Sequence, residues 1–169
     1  MTESNESLGT IEHKAGSWEV RLTRHLTHNL AQVWEMLTVP AKLVEWLAPG
    51  EIELRVGGAA RLDFGDSGII IDSQVSACEP PNVLEYSWSG PGEPLRPVRW
   101  TLQPDGDSTR LELRLSLPED ENVARSAAGW EAHLQMLLAA LEGVPIKFPF
   151  ERFKASRDAY SEQLEAIKS

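Results

Sequence analysis

Apolar residues recur at every second position from Trp18 onward: Trp18, Val20, Leu22 and Leu26 fall on one side, and Glu19, Arg21, Thr23 and His25 on the other. A period of two predicts a half-buried strand. Asn29 then offers an N-cap to LAQVWEML, in which Leu30, Val33, Trp34 and Leu37 share one helical face. Pro40 restarts a second short helix bearing Leu43, Val44, Trp46 and Leu47, and Pro49-Gly50 stops it.

A long run of alternation follows. Ile52, Leu54 and Val56 lead into Gly57-Gly58, and Ala60, Leu62 and Phe64 lead away from it. Glycine accepts the positive φ of a tight primed turn, so this pair predicts a hairpin. Gly65-Asp66-Ser67-Gly68 predicts a turn into a strand from Ile69 to about Cys78, broken by Glu79-Pro80-Pro81-Asn82. Three further alternating runs are Leu84, Tyr86, Trp88; Val98, Trp100, Leu102; and Leu111, Leu113, Leu115, Leu117. The Gly- and Pro-rich stretch 89–97 separates the first two, and Pro104-Asp105-Gly106-Asp107 the last two. Six or seven consecutive strands with no helix between them describe an antiparallel meander.

Beyond Pro118 the period becomes helical, with Trp130, Leu134, Leu137 and Leu141 at i, i+4, i+7 and i+11, ended by Gly143 and Pro145. Phe150, Phe153, Tyr160, Leu164 and Ile167 mark a second amphipathic helix at about 149–167, its seam interrupted by Arg157. The element order predicts an α+β helix-grip fold. A curved antiparallel sheet of six or seven strands wraps a long C-terminal helix, with two short helices after the first strand. Residues 1–16, polar and without period, are expected to be a flexible tail, and 17–169 one domain that includes the extra terminal helix.

Several segments resemble a known family in chain order. HNLAQVWEMLTVPAKLVEWLAP is similar to the opening helix pair of proteins related to the activator of the heat-shock-protein-90 ATPase, members of the START and birch-pollen-allergen (SRPBCC) superfamily. ELRVGGAARLDF resembles the family's glycine-pair hairpin, EPPNVLEYSW its Pro-containing strand entry, LQPDGDSTRLELR its penultimate turn and last strand, and AAGWEAHLQMLLAAL its Gly-Trp helix signature. The resemblance runs from roughly 18 to 142 and leaves 145–169 as a departure. It implies the helix-grip fold and an internal cavity. Related domains bind lipids, hormones and polyketides, and some catalyse, so the resemblance alone does not set the function.

Charge narrows the partners. Lys and Arg number 16 against 26 Asp and Glu, a formal net charge of −10. Such a surface repels phosphate backbones and anionic lipid, so neither nucleic acid nor membrane is an expected partner. One cysteine, Cys78, permits no intrachain disulfide. The N-terminus lacks the apolar core of a signal peptide, and no apolar run approaches the roughly 20 residues of a membrane helix. A cytoplasmic protein is the expectation.

The candidate chemistry is a pocket. Six tryptophans in 169 residues is a high count, and aromatic-lined concavities are what small-ligand sites are made of. Strand parity puts Phe64, Trp88, Trp100 and Leu113 on the concave side, opposite Trp130, Leu134 and Leu137 of the long helix. The competing reading is that these side chains simply fill the core. His133, near the apolar stripe, is placed either to bond a ligand or as an edge histidine satisfied by backbone or water. These eight residues form the predicted ligand site.

No HExxH, paired-cysteine or carboxylate cluster suggests a metal, and no nucleophile elbow or phosphate loop is present, so no catalytic residue, metal or cofactor is expected. The leading reading is binding of a small hydrophobic or aromatic ligand, lipid-, polyketide- or metabolite-like, as carrier or sensor. The alternatives are an enzyme of polyketide-cyclase type in the same cavity and a co-chaperone-like interaction module. The face formed by Phe150, Phe153, Tyr160 and Leu164 either packs back on its own domain or forms a homodimer contact.

Overall fold

A computed structural model describes residues 8–168. Eight strands form one antiparallel sheet in the order β1-β2-β8-β7-β6-β5-β4-β3. They are β1 (Thr10–Lys14), β2 (Ser17–Leu26), β3 (Gly50–Ile52), β4 (Ala59–Asp63), β5 (Ile70–Glu79), β6 (Val83–Ser87), β7 (Pro97–Asp105) and β8 (Ser108–Pro118). Between β2 and β3 lie α1 (Leu30–Thr38) and α2 (Pro40–Trp46); α3 (Val123–Leu141) and α4 (Phe150–Lys168) close the chain. β2 and β8 pair along their full lengths, Trp18 opposite Leu117 and Leu26 opposite Thr109, so the first long strand meets the last. A register shift between Val75 and Ala77 bends β5, and such bulges add curvature to a sheet.

The α+β helix-grip expectation agrees with this architecture, with an eighth strand added. The addition is β1, which lies inside the stretch 1–16 expected to be a tail. Thr10–Lys14 pairs with β2, and of its five residues only Ile11 is buried. Its hydrogen bonds come from the backbone, which has no hydrophobic signature. Residues 1–7, the rest of that expected tail, lie outside the described residues.

The glycine-pair hairpin also differs. Ile52 already pairs with Ala60, so residues 53–58 form a wide loop and leave Leu54 and Val56 exposed. The loop backbone turns to β5 instead. Gly57 N–H donates to the Val75 carbonyl and Val75 N–H to the Gly58 carbonyl, each at 2.8 Å.

Local sequence explains the helices. Asn29 and Gln32 form a reciprocal capping box at the start of α1, and Pro40 occupies the first turn of α2. Asn122 caps α3 by accepting from Arg125 N–H at 3.2 Å. Leu22, Leu84, Trp100, Leu102 and Leu113 of the concave sheet face share one buried core with Ala127, Trp130, Leu134 and Leu137 of α3.

α4 packs on α3, and its Tyr160 is wholly buried. Tyr160 donates its hydroxyl to Glu131 Oε2 at 2.5 Å and accepts from Gly9 N–H at 2.7 Å. Glu131 Oε1 in turn holds Arg24 Nη2. Tyr160 therefore faces its own domain, which corrects its place in the expected dimer face. The reason is chemical: a phenol between a buried carboxylate and a backbone amide is satisfied internally. Phe150 remains 67% exposed, and Phe153 and Leu164 are half-buried.

Candidate functional site

The sheet and α3 diverge toward one side of the molecule and enclose an open cleft of about 1220 Å³. Its floor comes from Val98, Leu115 and Leu117 of the sheet, and one wall from α3. Phe64 and Trp88 bound it at the end of β4 and just beyond β6; Phe148 and Phe150 reach in ahead of and at the start of α4. The volume exceeds the range of roughly 300–1000 Å³ typical of small-molecule pockets.

Aromatic rings form a continuous chain along the wall. Phe64 meets Trp88 edge-on at 5.8 Å between centroids, Trp88 meets Trp130 at 4.7 Å, and Trp130 meets His133 at 5.7 Å. His133 continues to Phe148 at 5.6 Å. The edge-to-face pairs Phe64–Trp88 and Trp88–Trp130 fix ring orientations and add about 0.5–1.5 kcal/mol each beyond their buried area.

Four of the eight predicted site residues come together here: Phe64, Trp88, Trp130 and His133 line the cleft. The other four are outside its lining. Trp100, Leu113, Leu134 and Leu137 are almost fully buried in the core. They share the concave parity of the strands, or the inner stripe of α3, but lie where sheet and helix are in contact. Trp100 packs edge-on to Trp130 at 5.7 Å and to Trp46 at 5.8 Å, supporting the cleft from behind.

His133 is the polar feature of the aromatic wall. Its Nδ1 lies 3.3 Å from the Trp46 carbonyl, which can only accept, so Nδ1 carries the proton and Nε2 the lone pair. Nε2 has no hydrogen-bond partner among the described residues. Burial lowers the His133 pKa from its ordinary value, and the bond to Trp46 opposes this only in part. The neutral imidazole thus presents an acceptor within an aromatic surround.

The mouth is polar. Arg96 Nε bonds Glu121 at 3.0 Å and Arg96 Nη1 lies 3.5 Å from Glu93, closing one edge by ion pairs. Arg125, Ser126 and Gly129 of α3 also line the cleft. The sequence reading missed these residues, although the spacing Arg125, Gly129, His133 repeats every four residues and puts all three on one helical face. Among the described residues, no group of three or more His, Cys, Asp or Glu is placed to hold a metal ion. No helix among them is long and apolar enough to cross a membrane.

A curved sheet gripping a long helix, with an aromatic cleft left between them, defines a helix-grip protein of the START and birch-pollen-allergen superfamily. The family model for activator of Hsp90 ATPase homolog 1-like proteins matches residues 27–142, and the chain belongs to that family. Solved structures agree in fold. The conserved protein EF2215 from Enterococcus faecalis superposes with a TM-score of 0.81 at 22% identity, over 99% of this chain and 96% of that one. CalU16 from Micromonospora echinospora gives 0.75 at 22% identity, over 92% and 94%. DynU16, a protein of the dynemicin biosynthetic locus, gives 0.68 at 32% identity over 75% of this chain; the match spans about half of DynU16, 48%. No curated protein matches the chain.

Proposed function

We propose that the protein binds a small hydrophobic, aromatic molecule in the cleft between the sheet and α3, as a carrier or sensor. One observation carries this reading: a cleft of about 1220 Å³ whose wall is a chain of aromatic rings that includes His133, with its Nε2 unpartnered among the described residues. Apolar burial against Phe64, Trp88, Trp130 and Phe148 supplies affinity, and the imidazole sets orientation. The occurrence of DynU16 in a biosynthetic locus supports a small-molecule role for the scaffold.

Catalysis is the second reading, with His133 as general base on a polyketide-like substrate. The lowered pKa that keeps His133 neutral also makes it a weaker base, which favours binding over proton abstraction.

Native mass spectrometry of the gently purified protein, compared with its denatured mass, tests the proposal. A reproducible excess of a few hundred daltons, lost in Trp88→Ala, is the expected result. A clean apo mass together with no thermal shift across a panel of hydrophobic ligands would overturn it.

A further inference from the structure

Glycine in the interior of a helix is the least favoured residue short of proline, yet α3 carries Gly129 well inside its nineteen residues. Glycines elsewhere in the molecule have evident causes. A Cβ on Gly9 would lie 2.3 Å from the Arg21 carbonyl oxygen, and one on Gly50 would lie 2.0 Å from that of Arg61. Gly129 has neither crowding nor an unusual backbone: beyond its two chain neighbours and the adjacent helix backbone, a Cβ there would meet no atom within 4 Å, and its φ is not positive. Packing and conformation both permit a side chain. What the glycine provides is open space on the helix wall of the cleft.

The surroundings of that space give it a chemistry. His133 follows Gly129 by one helical turn, about 6 Å along the axis at 1.5 Å per residue. Trp130 lies beside it, packed edge-on to Trp88. A bare stretch of helix backbone next to two indole rings accepts a flat group at van der Waals distance. One helical turn separates that seat from His133, whose Nε2 is unpaired among the described residues. An acceptor set among aromatic edges on the cleft wall discriminates, because a ligand without a donor displaces its water and returns nothing.

We propose that Gly129 is the seat of a planar aromatic ring and that the ligand is a phenol, its ring lying over the bare helix at Gly129 and its hydroxyl donating to His133 Nε2. This rests on the ligand-binding reading above and names the chemical class that the cleft selects. The neutral tautomer imposed by the Trp46 carbonyl fixes the direction of the bond: the ligand gives the proton and the protein receives it.

Isothermal titration of the full chain with 2-naphthol and with its methyl ether, 2-methoxynaphthalene, tests both halves. The wild type is expected to bind 2-naphthol at least tenfold more tightly than the ether. His133→Phe should abolish that preference while keeping the affinity for the ether. Gly129→Leu should weaken both probes at least tenfold while melting no lower than the wild type; Gly129→Ala, which adds one methyl, should weaken both by a few-fold.

Equal affinity of the wild type for the two probes would overturn the phenol assignment. Unchanged binding in both Gly129 variants would overturn the seat. If neither probe binds but the purified protein carries a mass excess, this inference fails and the ligand-binding reading stands; if neither probe binds and the mass is clean, both fall.

Discussion

Arg24 of β2 and Glu131 of α3 meet as an ion pair in the interior, 8% and 1% exposed, within a core made largely of apolar side chains. Arg24 also donates from Nη1 to the Thr23 carbonyl at 2.8 Å, and the second Glu131 oxygen accepts from Tyr160. Both ions are thus held by further hydrogen bonds, the condition under which a buried pair is tolerated.

Removing one partner should be far worse than removing both. Glu131→Gln leaves a guanidinium uncompensated in the core and is expected to lower stability by about 3–5 kcal/mol in urea unfolding. The double replacement Arg24→Met with Glu131→Leu should recover most of that loss. A single variant as stable as the wild type would show that the pair is not fastening α3 to β2.

Two glycine-to-alanine changes should move stability in opposite directions. Gly9→Ala forces a Cβ to within 2.3 Å of the Arg21 carbonyl oxygen and disturbs the amide that bonds Tyr160, so its melting temperature should fall. Gly129→Ala adds a Cβ into open space in a helix and should gain about 0.5–1 kcal/mol. Calorimetry of the two purified variants reads both signs.

Stability should fall as the solution is acidified below about pH 6.5, through His133. Its folded pKa lies below the unfolded value, so between the two values the unfolded chain binds a proton that the folded chain refuses. The protein is therefore destabilised on going down through that window, by at most about 1.4 kcal/mol per pH unit. The wild-type melting temperature should fall relative to that of His133→Phe as the pH drops through that window. A difference independent of pH would sink the assignment.

Cys78 should react slowly with thiol reagents. Partial burial raises its thiol pKa above the usual range, so at pH 8 less of it is thiolate than of a free cysteine. Labelling with a chromogenic disulfide is expected to lag behind a cysteine-peptide standard and to accelerate as the pH rises. A rate above the standard would contradict this.

Alternation made most of the sheet legible in the sequence, because β2 and β4–β8 each bury one face and expose the other. The strand that escaped, β1, buries only Ile11, and a strand held by its backbone leaves no period to read. The 53–58 loop was misread because Leu54 and Val56 continue an alternation whose side chains end in solvent.

The site was half visible for a related reason. Parity assigns Phe64, Trp88, Trp100 and Leu113 to the concave face, but not their depth, and depth decides which of them touch the cleft. Arg24 and Glu131 follow the inward stripe, but a charged residue is rarely buried and carries no hydrophobic signal of it, so neither was legible in the sequence. Gly129 was visible only as part of a helix signature, since an absent side chain has no hydrophobic signal.

The contacts of Gly9 and Ile11 with α4 bear on how the chain is made. Tyr160 bonds the Gly9 amide across 151 positions of sequence, and Gln163 accepts from Ile11 N–H at 3.1 Å across 152. A ribosome must therefore deliver nearly the whole domain before its first strand finds these partners. Contacts that distant in sequence slow folding, and here they reserve completion for the last turns of the final helix. Until α4 emerges, the nascent protein carries its opening strand without the clasp that locks it down.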